Sequence, residues 1–248
     1  MIYGLYLSAN GLITQGMRAD VIANNLANTS TNGFKKDFLA LRQRDPEVIR
    51  QGGITNTTQR HLLAIGGAVE GDRSFSIFNQ GALVKTGNPL DIAIEGKGLF
   101  KYSDGEKAYF SRNGNLTVDP QGVLRGVNNF AILSEDNEPI QIDGNDYKID
   151  NEGRVMVDDE AIAQIALVSL DNPNALHKVG ENMYELQGKA TEIASDAQLS
   201  TGHVEGSSVS AVKEMTKLIE AQRAYQANAK MISIQDETLG KALTQIAI

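Results

Sequence analysis

The sequence predicts an α+β protein: long N- and C-terminal helices forming a coiled-coil-like unit, with an inserted all-β domain of short antiparallel strands. Two patterns lead to this fold class. At both ends of the chain, small and apolar residues recur every four and then three residues, which is the spacing of a helical seam. Through the middle, turn motifs recur at short spacing with β-favouring runs between them. Together they give the order helix, β region, helix.

The first element is an N-terminal helix. Three glycines, Gly4, Gly11 and Gly16, each cost about 1 kcal/mol in a helix interior, and a helix of roughly 26 residues is marginal when isolated. We therefore expect this helix to need a partner. Its 4-3 alternation runs through Leu5, Ala9, Leu12, Gly16, Ala19, Ala23 and Leu26.

The second element is the β region, predicted over residues 75–189. YSDGEKAYF predicts a hairpin that turns at Asp104-Gly105. LTVDPQGVL (116–124) and YKIDNEGRV (147–155) share one pattern, which suggests a repeated hairpin unit. The turn motifs are NQG (79–81), SDGE (103–106), DPQG (119–122), EDNEP (135–139), DNEG (150–153) and DNPN (171–174).

The third element is a C-terminal helix on the same 4-3 spacing, with a capping serine before it. Only Gln222 and Asp236 are polar among its seam positions. The seam consists of Ala211, Met215, Leu218, Gln222, Tyr225, Ala229, Ile232, Asp236, Leu239, Leu243 and Ile246. The two seams either pack on each other within one monomer or are completed by other copies of the chain.

The domain organisation follows from these elements. Residues 1–40 and 205–248 are predicted to form one terminal helical assembly domain, and residues 75–189 the β-rich outer domain. Residues 41–74 and 190–204 are connecting segments, the first with a short helix interrupted at Pro46.

Composition argues against several function classes. The net charge of −8 disfavours a nucleic-acid or anionic-lipid partner. The sequence contains no stretch of about 20 apolar residues, so we expect no direct membrane insertion. Cysteine is absent, and His61, His177 and His203 lie far apart. We therefore expect no catalytic residue, no metal site and no cofactor.

The two ends carry a specific resemblance. The segments Ala23–Asn28 (ANNLAN) and Thr31–Lys35 (TNGFK) resemble the N-terminal motifs of bacterial flagellar rod and hook proteins. EGSSV and QRAYQAN, near the start of the C-terminal helix, resemble the family's C-terminal motifs, with Ser208 where asparagine is usual. PLDIAIEGKGLF and YFSRNGNLTVDPQGVL resemble its β-domain segments.

The resemblance implies a structural, non-enzymatic subunit of the flagellar basal-body rod. Such subunits are exported by the flagellar export apparatus without a cleaved signal and polymerise through their terminal helices around the export channel. The implied partners are copies of the chain and other rod and hook subunits. The implied location is the basal body, where the rod spans the periplasm.

The same resemblance places subunit contacts on the terminal segments. Because an amide both donates and accepts hydrogen bonds, the asparagines at the end of the first helix would bridge subunits or face a hydrated channel. Gly33 would let the chain turn out of the helix. The predicted interface residues are Leu5, Leu12, Asn24, Asn25, Leu26, Asn28, Gly33, Phe34, Met215, Leu218, Gln222, Arg223, Tyr225, Asn228, Ile232, Leu239 and Leu243.

Several alternatives stay open. Length and the short connector favour a proximal-type rod protein, whereas DPEVIRQGG favours a distal-type rod protein. A hook-like axial protein of the same family is a further alternative, although hook proteins are usually longer. A β-rich module that binds cell wall or glycan is a rival class, although the chain has no tryptophan for a binding groove. A cytoplasmic partner in a helical hetero-oligomer is another.

Overall fold

The computed structural model of the chain describes residues 2–43, 69–144, 147–158, 160–188, 190–195 and 197–246. Two long helices lie at the ends, α1 (Ile2–Ala27) and α2 (Ala211–Ile246). The first strands are β1 (Lys36–Gln43), β2 (Val69–Ile77), β3 (Leu83–Lys85), β4 (Ile92–Glu95), β5 (Leu99–Ser103), β6 (Ala108–Ser111), β7 (Thr117–Val118), β8 (Leu124–Arg125) and β9 (Ala131–Ile132). The remaining strands are β10 (Tyr147–Ile149), β11 (Arg154–Val157), β12 (Glu160–Gln164), β13 (Leu167–Leu170), β14 (Leu176–Gly180), β15 (Met183–Leu186), β16 (Glu192–Ala194), β17 (Gln198–Thr201) and β18 (His203–Glu205).

The predicted fold class is wrong, although the inserted β domain is present. The described residues hold two α-helices, two 3₁₀ helices (Val127–Asn129 and Pro173–Ala175) and eighteen strands. They therefore contain more strand than helix, and strands share the compact unit that contains the α-helices. A 4-3 spacing makes a seam only where its side chains meet a partner. On the predicted α2 seam, Met215, Tyr225 and Leu243 are instead 51%, 41% and 68% exposed. The helices therefore do not form a coiled-coil-like unit by themselves.

The chain divides into two compact units, and each is described separately. The helical unit comprises Met1–Leu26, Asp37–Phe75 and Ala211–Ile248. The β unit comprises Ala27–Lys36 and Ser76–Ser210. The predicted helix interrupted at Pro46 lies outside the described residues.

In the helical unit, glycines of α1 receive side chains of α2. A Cβ added at Gly4 would lie 3.0 Å from Nε2 of Gln235, and one at Gly11 would lie 3.0 Å from Nδ2 of Asn228. As the residue number increases along α1, the residue number of the contacting side chain on α2 decreases, so the two helices run antiparallel. The missing side chains explain why three costly glycines stand in one helix, because they let α2 approach closely.

Strands β1 and β2 pair with each other in the same unit. The Thr14 hydroxyl of α1 donates a hydrogen bond to the carbonyl of Val69 at 2.8 Å. Arg42 of β1 pairs with Glu70 of β2 at 2.8 Å. The hydrogen bond from Thr14 thus joins the strand pair to α1, and the ion pair of Arg42 with Glu70 joins the two strands to each other.

The helical unit has very little apolar core. Among its described residues, Ile22 and Ala221 are the buried apolar side chains, while Asn10, Thr14, Asn25 and Glu214 are buried polar ones. Buried apolar surface supplies most of the free energy of folding. The helices are therefore weakly held within one copy of the chain.

The β unit holds the core of the molecule. Its largest sheet has the order β14-β15-β6-β5-β9-β8-β7, with β13 paired to β5 and β16. Strands β10, β11 and β12 form a second sheet, while β17 pairs with β4 and β18 with β3. The main cluster of buried apolar side chains includes Ile92, Phe100, Tyr102, Leu124 and Val155.

Turn chemistry fixes the hairpins of the β unit. The predicted hairpin at Asp104-Gly105 is confirmed, because β5 and β6 pair antiparallel with Tyr102 opposite Tyr109. The two similar segments also make the same turn. Asp119 and Asp150 each accept backbone N–H groups two and four residues on, at 2.8–2.9 Å.

Candidate subunit interface

Asn25 fastens the end of α1 to the start of β1. Its Nδ2 donates to the carbonyl of Asp37 at 2.8 Å, and its Oδ1 accepts the backbone N–H of Asp37 at 2.8 Å. Asn25 is 1% exposed, so both bonds are shielded from water. The side-chain amide of Asn25 therefore makes both hydrogen bonds within this chain. The sequence did not predict this role.

The turn after α1 lies in the β unit and requires glycine. Gly33 has φ of +69°, and its N–H donates to the carbonyl of Glu205 at 2.6 Å. A Cβ there would stand 2.6 Å from the backbone nitrogen of Asn113, closer than real Cβ contacts come. The side chain of Asn32 donates to Asn115 at 2.8 Å. Both geometry and space thus demand glycine at this turn.

Phe34 is buried and anchors the turn in the β unit. The ammonium of Lys178 lies 3.9 Å from the centroid of its ring, a cation–π contact. The backbone N–H of Ser208 donates to the carbonyl of Phe34 at 3.0 Å, and the hydroxyl of Ser208 accepts from the N–H of Lys36 at 3.0 Å. The N-terminal TNGFK motif and the C-terminal EGSSV motif therefore bind each other.

Three ionisable side chains are buried where these motifs meet. Lys35 donates to Glu205 at 2.6 Å and to the carbonyl of Asn79 at 2.7 Å. Glu205 also accepts the N–H of Gly81 at 2.6 Å, and Arg112 lies 3.5 Å from its other oxygen. Lys35 and Glu205 have no exposed side-chain surface. We call Lys35, Arg112 and Glu205 the buried charge cluster.

The cluster carries two positive groups and one negative group. Burial lowers the pKa of Lys35, although Glu205 opposes this shift and Arg112 adds to it. Burial likewise lowers the pKa of Arg112, with Glu205 opposing the shift. Glu205 is the single anion that holds both cations, so it is the key member of the cluster.

Sequence reasoning missed the buried charge cluster. Lys35 and Glu205 stand at the ends of the two quoted motifs, but 170 positions separate them in the chain. No local spacing connects them, and a lysine at a helix end is ordinarily solvated. Their position in the two end motifs was the one available indication.

The structure places the other predicted interface residues in two groups. One group is exposed, and the other is half-buried within its own unit. The exposed residues are Asn24, Met215, Gln222, Arg223, Tyr225 and Leu243. The half-buried residues are Leu5, Leu12, Leu26, Asn28, Leu218, Asn228, Ile232 and Leu239.

Large apolar side chains are also exposed where the sequence did not predict an interface. On α2 they include Val212, Ile219 and Ile234, and on α1 Ile13 and Met17. Apolar side chains outside the face that packs within the chain are typical of a helix that another molecule covers. These side chains were missed because they do not follow the 4-3 seam.

Two features of the described residues bear on other classes of site. Within the ranges given above, no group of three or more His, Asp or Glu side chains could hold a metal ion. Neither α1 nor α2 is long and apolar enough in any window of those residues to cross a membrane.

A chain that has one unit with little apolar core and a second unit with a large one is typical of a subunit that completes its packing in a larger assembly. Comparison with known proteins agrees. A family model described as "Flagella basal body rod protein" matches residues 5–35, and one described as "Flagellar basal body rod FlgEFG protein C-terminal" matches residues 200–246.

Relatives match over nearly their whole length. The chain is 33% identical over 257 residues to the flagellar basal-body rod protein FlgG of Buchnera aphidicola subsp. Acyrthosiphon pisum, covering 97% of this chain and 98% of that protein. It is 31% identical to FlgG of Bacillus subtilis, with 96% and 97% covered. It is also 31% identical to the rod protein FlgF of Caulobacter vibrioides, with 98% and 97% covered.

The chain belongs to the flagellar basal-body rod protein family. It is a structural subunit of the basal-body rod and not an enzyme. Membership also implies assembly with other rod and hook subunits.

Proposed function

We propose that the chain is a FlgG-type subunit of the distal rod. Relatives from Buchnera and Bacillus that match it over 96–97% of its length carry the name FlgG, which favours the distal rod. The proximal type, which length and the short connector favour in the sequence, is the alternative. Because the chain is also similar to the FlgF protein of Caulobacter, a FlgF-type subunit is a second alternative, which the deletion experiment below also tests.

We further propose that the chain polymerises through its helical unit to form the tubular wall of the rod around the export channel. The observation that carries this proposal is the contrast in core. The described part of the helical unit buries two apolar side chains, Ile22 and Ala221, while Val212, Met215 and Ile219 of its longer helix are exposed. Neighbouring copies would bury that surface.

The predicted interface residues belong to this proposal. The exposed ones, Met215, Gln222, Arg223, Tyr225 and Leu243, are those available to a neighbouring subunit. Asn24 is exposed on α1 and fits the proposed role of bridging subunits or facing the channel. The half-buried ones would first position α1 against α2.

The type of rod subunit can be tested by gene deletion in the native bacterium. Basal bodies purified from the deletion strain are imaged by electron cryo-microscopy. We expect rods that begin normally, end before the hook and are completed when the wild-type gene is restored. Rods missing their proximal part would instead support the proximal type. Complete rods and hooks would refute a rod function.

We also propose that the flagellar export apparatus is the partner of the chain before assembly. The small core of the helical unit supports this, because a segment with few buried apolar contacts opens at low cost in free energy. In a strain whose export apparatus is inactive, an epitope-tagged chain should accumulate inside the cell. Its appearance in basal bodies of that strain would contradict the proposal.

A further inference from the structure

The β unit contains a cavity of about 270 Å³, which we call the β13 cavity because β13 forms one of its walls. Protein interiors are close-packed and hold few voids larger than a water molecule. An apolar cavity of about 150 Å³ is already large enough for benzene. The β13 cavity can therefore hold an organic group. Its apolar lining consists of Phe78, Leu99, Val168, Leu170 and Leu176.

Packing inside the chain holds this apolar lining in place. Leu99 and Leu170 are buried members of a second cluster of apolar side chains, and Val168 packs against that cluster. The ring of Phe78 contacts the ring of Tyr184, with centroids 5.0 Å apart. The wall of the cavity is therefore formed before any ligand arrives, which lowers the entropic cost of binding.

Arg112 is a charged side chain of the lining and is only 2% exposed. Its Nη1 donates to the carbonyl of Ile94 at 3.3 Å and lies 3.5 Å from Glu205, and its Nη2 donates to the carbonyl of Gly96 at 2.5 Å. Its Nε is buried and has no hydrogen-bond partner among the described residues. A buried donor without a partner is costly, so the guanidinium is incompletely compensated by this chain.

The charges around the cavity sum to a net positive value. Lys97 and Asp171 also line it, and both are exposed. Oδ1 of Asp171 already accepts a backbone N–H at 3.0 Å. Glu205 is shared between Lys35 and Arg112. These five side chains carry three positive charges and two negative ones, and a buried positive charge is stabilised by a nearby anion.

We propose that the β13 cavity binds a small carboxylate that carries one compact apolar group, such as an aromatic ring. The apolar group would pack on the wall that includes Phe78 and Leu176. The carboxylate would lie beside Arg112, whose guanidinium matches carboxylates in shape and charge, and Lys97 would add attraction from the rim. An anion without an apolar part, such as phosphate, would leave the wall uncovered.

The chemical class of the ligand can be tested with benzoate on the purified full-length chain. Isothermal titration calorimetry should show saturable binding of benzoate. Benzamide has the same shape without the charge, and we expect it to bind roughly tenfold more weakly or less, because hydrogen bonds between charged groups are the stronger ones. Equal affinity for both would contradict recognition of the carboxylate. No saturable binding of benzoate would refute the site.

The location of the site can be tested by reducing the cavity. Val168→Phe places a larger side chain in the lining and should abolish benzoate binding. Ile193→Phe is the control, because Ile193 is 51% exposed on β16 and does not line the cavity. Circular dichroism checks that both variants fold. Unchanged benzoate affinity in a folded Val168→Phe variant would overturn the inference.

The charge of the rim gives an independent test. Lys97→Glu should weaken benzoate binding several fold and leave benzamide binding unchanged. Lys85→Glu makes the same change of charge at an exposed residue of β3 outside the cavity, so it is the matched control. Both lysines lie outside the buried charge cluster, whereas a change at Arg112 would also disturb the fold. Equal loss in the two variants would contradict the proposal. Because the isolated chain is measured, every outcome leaves the proposed rod function standing.

Discussion

At the scale of single residues, Glu205 shows how the first and last segments of the β unit are joined. Its carboxylate binds the ammonium of Lys35 and the N–H of Gly81, and its carbonyl accepts the N–H of Gly33. Removing one partner from a buried ion pair leaves an uncompensated charge, which costs about 3–5 kcal/mol. The two ends of the β unit therefore depend on one acidic side chain.

We expect Glu205→Gln to lower the free energy of unfolding of the β unit by about 3–5 kcal/mol, because it leaves Lys35 and Arg112 buried without an anion. Lys35→Met should cost less, since Glu205 then still faces Arg112. Urea unfolding followed by tyrosine near-ultraviolet circular dichroism measures both. Glu185→Gln, which breaks an exposed pair with Lys107, is the control. Equal costs for all three would contradict this account.

Asn25 gives a second expectation at this scale. Asn25→Ala should destabilise the helical unit by about 1–3 kcal/mol, because the backbone N–H and C=O of Asp37 lose their partner. Asn24→Ala is the matched control, since Asn24 is exposed one position earlier in the same helix. Thermal unfolding at 222 nm measures both variants. A larger effect at Asn24 would overturn the assignment.

At the scale of elements, the contact between α1 and α2 is set by glycine. Gly11 lies against Asn228, whereas a Cβ at Gly240 of α2 would meet nothing within 4 Å. Helix propensity favours alanine over glycine by about 1 kcal/mol at both positions. The two glycines should therefore respond differently to the same substitution.

We expect Gly240→Ala to raise the stability of the helical unit by about 1 kcal/mol. Gly11→Ala should not, because its Cβ would stand 3.0–3.2 Å from the Asn228 amide. Adding Asn228→Ala to Gly11→Ala should recover the gain. Thermal unfolding monitored at 222 nm measures the series. Equal gains from the two single changes would show that Asn228 does not constrain Gly11.

The turns of the β unit predict its response to acid. The Arg125 guanidinium, helped by backbone N–H groups, holds the pKa of Asp119 below its ordinary value of 3.8. Backbone N–H groups of Lys107 and Glu106 do the same for the pKa of Asp104. A carboxylate whose pKa is lower when folded stabilises the fold above its unfolded pKa and loses that contribution as pH falls through the folded value.

We therefore expect the urea midpoint of the β unit to fall as pH drops from about 4 to about 2, and these two groups to add no pH dependence between about 5 and 7. Asp119→Asn should flatten part of the acid limb, since it removes the ion pair with Arg125. Urea titrations at fixed ionic strength measure the midpoint. An unchanged acid limb in the variant would contradict the role given to Asp119.

At the scale of the whole molecule, stability is unevenly divided between the two units. Nearly all buried apolar side chains of the described residues, from Leu90 to Val204, lie in the β unit. Local opening is easiest where few apolar contacts are buried. The isolated chain should therefore open first in its helical unit.

We expect limited proteolysis of the dilute monomer to cut within residues 2–26, 37–43, 69–75 and 211–246 of the helical unit before it cuts within the described residues of the β unit. Mass spectrometry of the surviving fragments measures the order. In purified basal bodies the helical segments should be protected, because neighbouring copies cover them. Equal cutting of both units in the monomer would mean that the helices already satisfy each other.

Sequence patterns correctly predicted the features that depend on interactions between residues close in sequence. The hairpin at Asp104-Gly105, the need for a turn at Gly33 and the order of helix, β region and helix all follow from residues close in sequence. The coiled-coil-like unit failed because a 4-3 pattern does not say which molecule meets the seam. Met215 and Leu243 fit the pattern and lie exposed, while Asn228 and Gln235 lie against α1.

The sequence by itself determined the two long helices, the turns of the β region and, through motifs at both ends, membership in the rod family. Only the tertiary structure decided that Lys35 and Glu205 meet, that Asn25 binds the backbone of Asp37 and that glycines of α1 receive side chains of α2. The physical reason is range. Helix and turn preferences act within a few residues, whereas buried ion pairs and close helix contacts depend on which distant segments tertiary folding brings together.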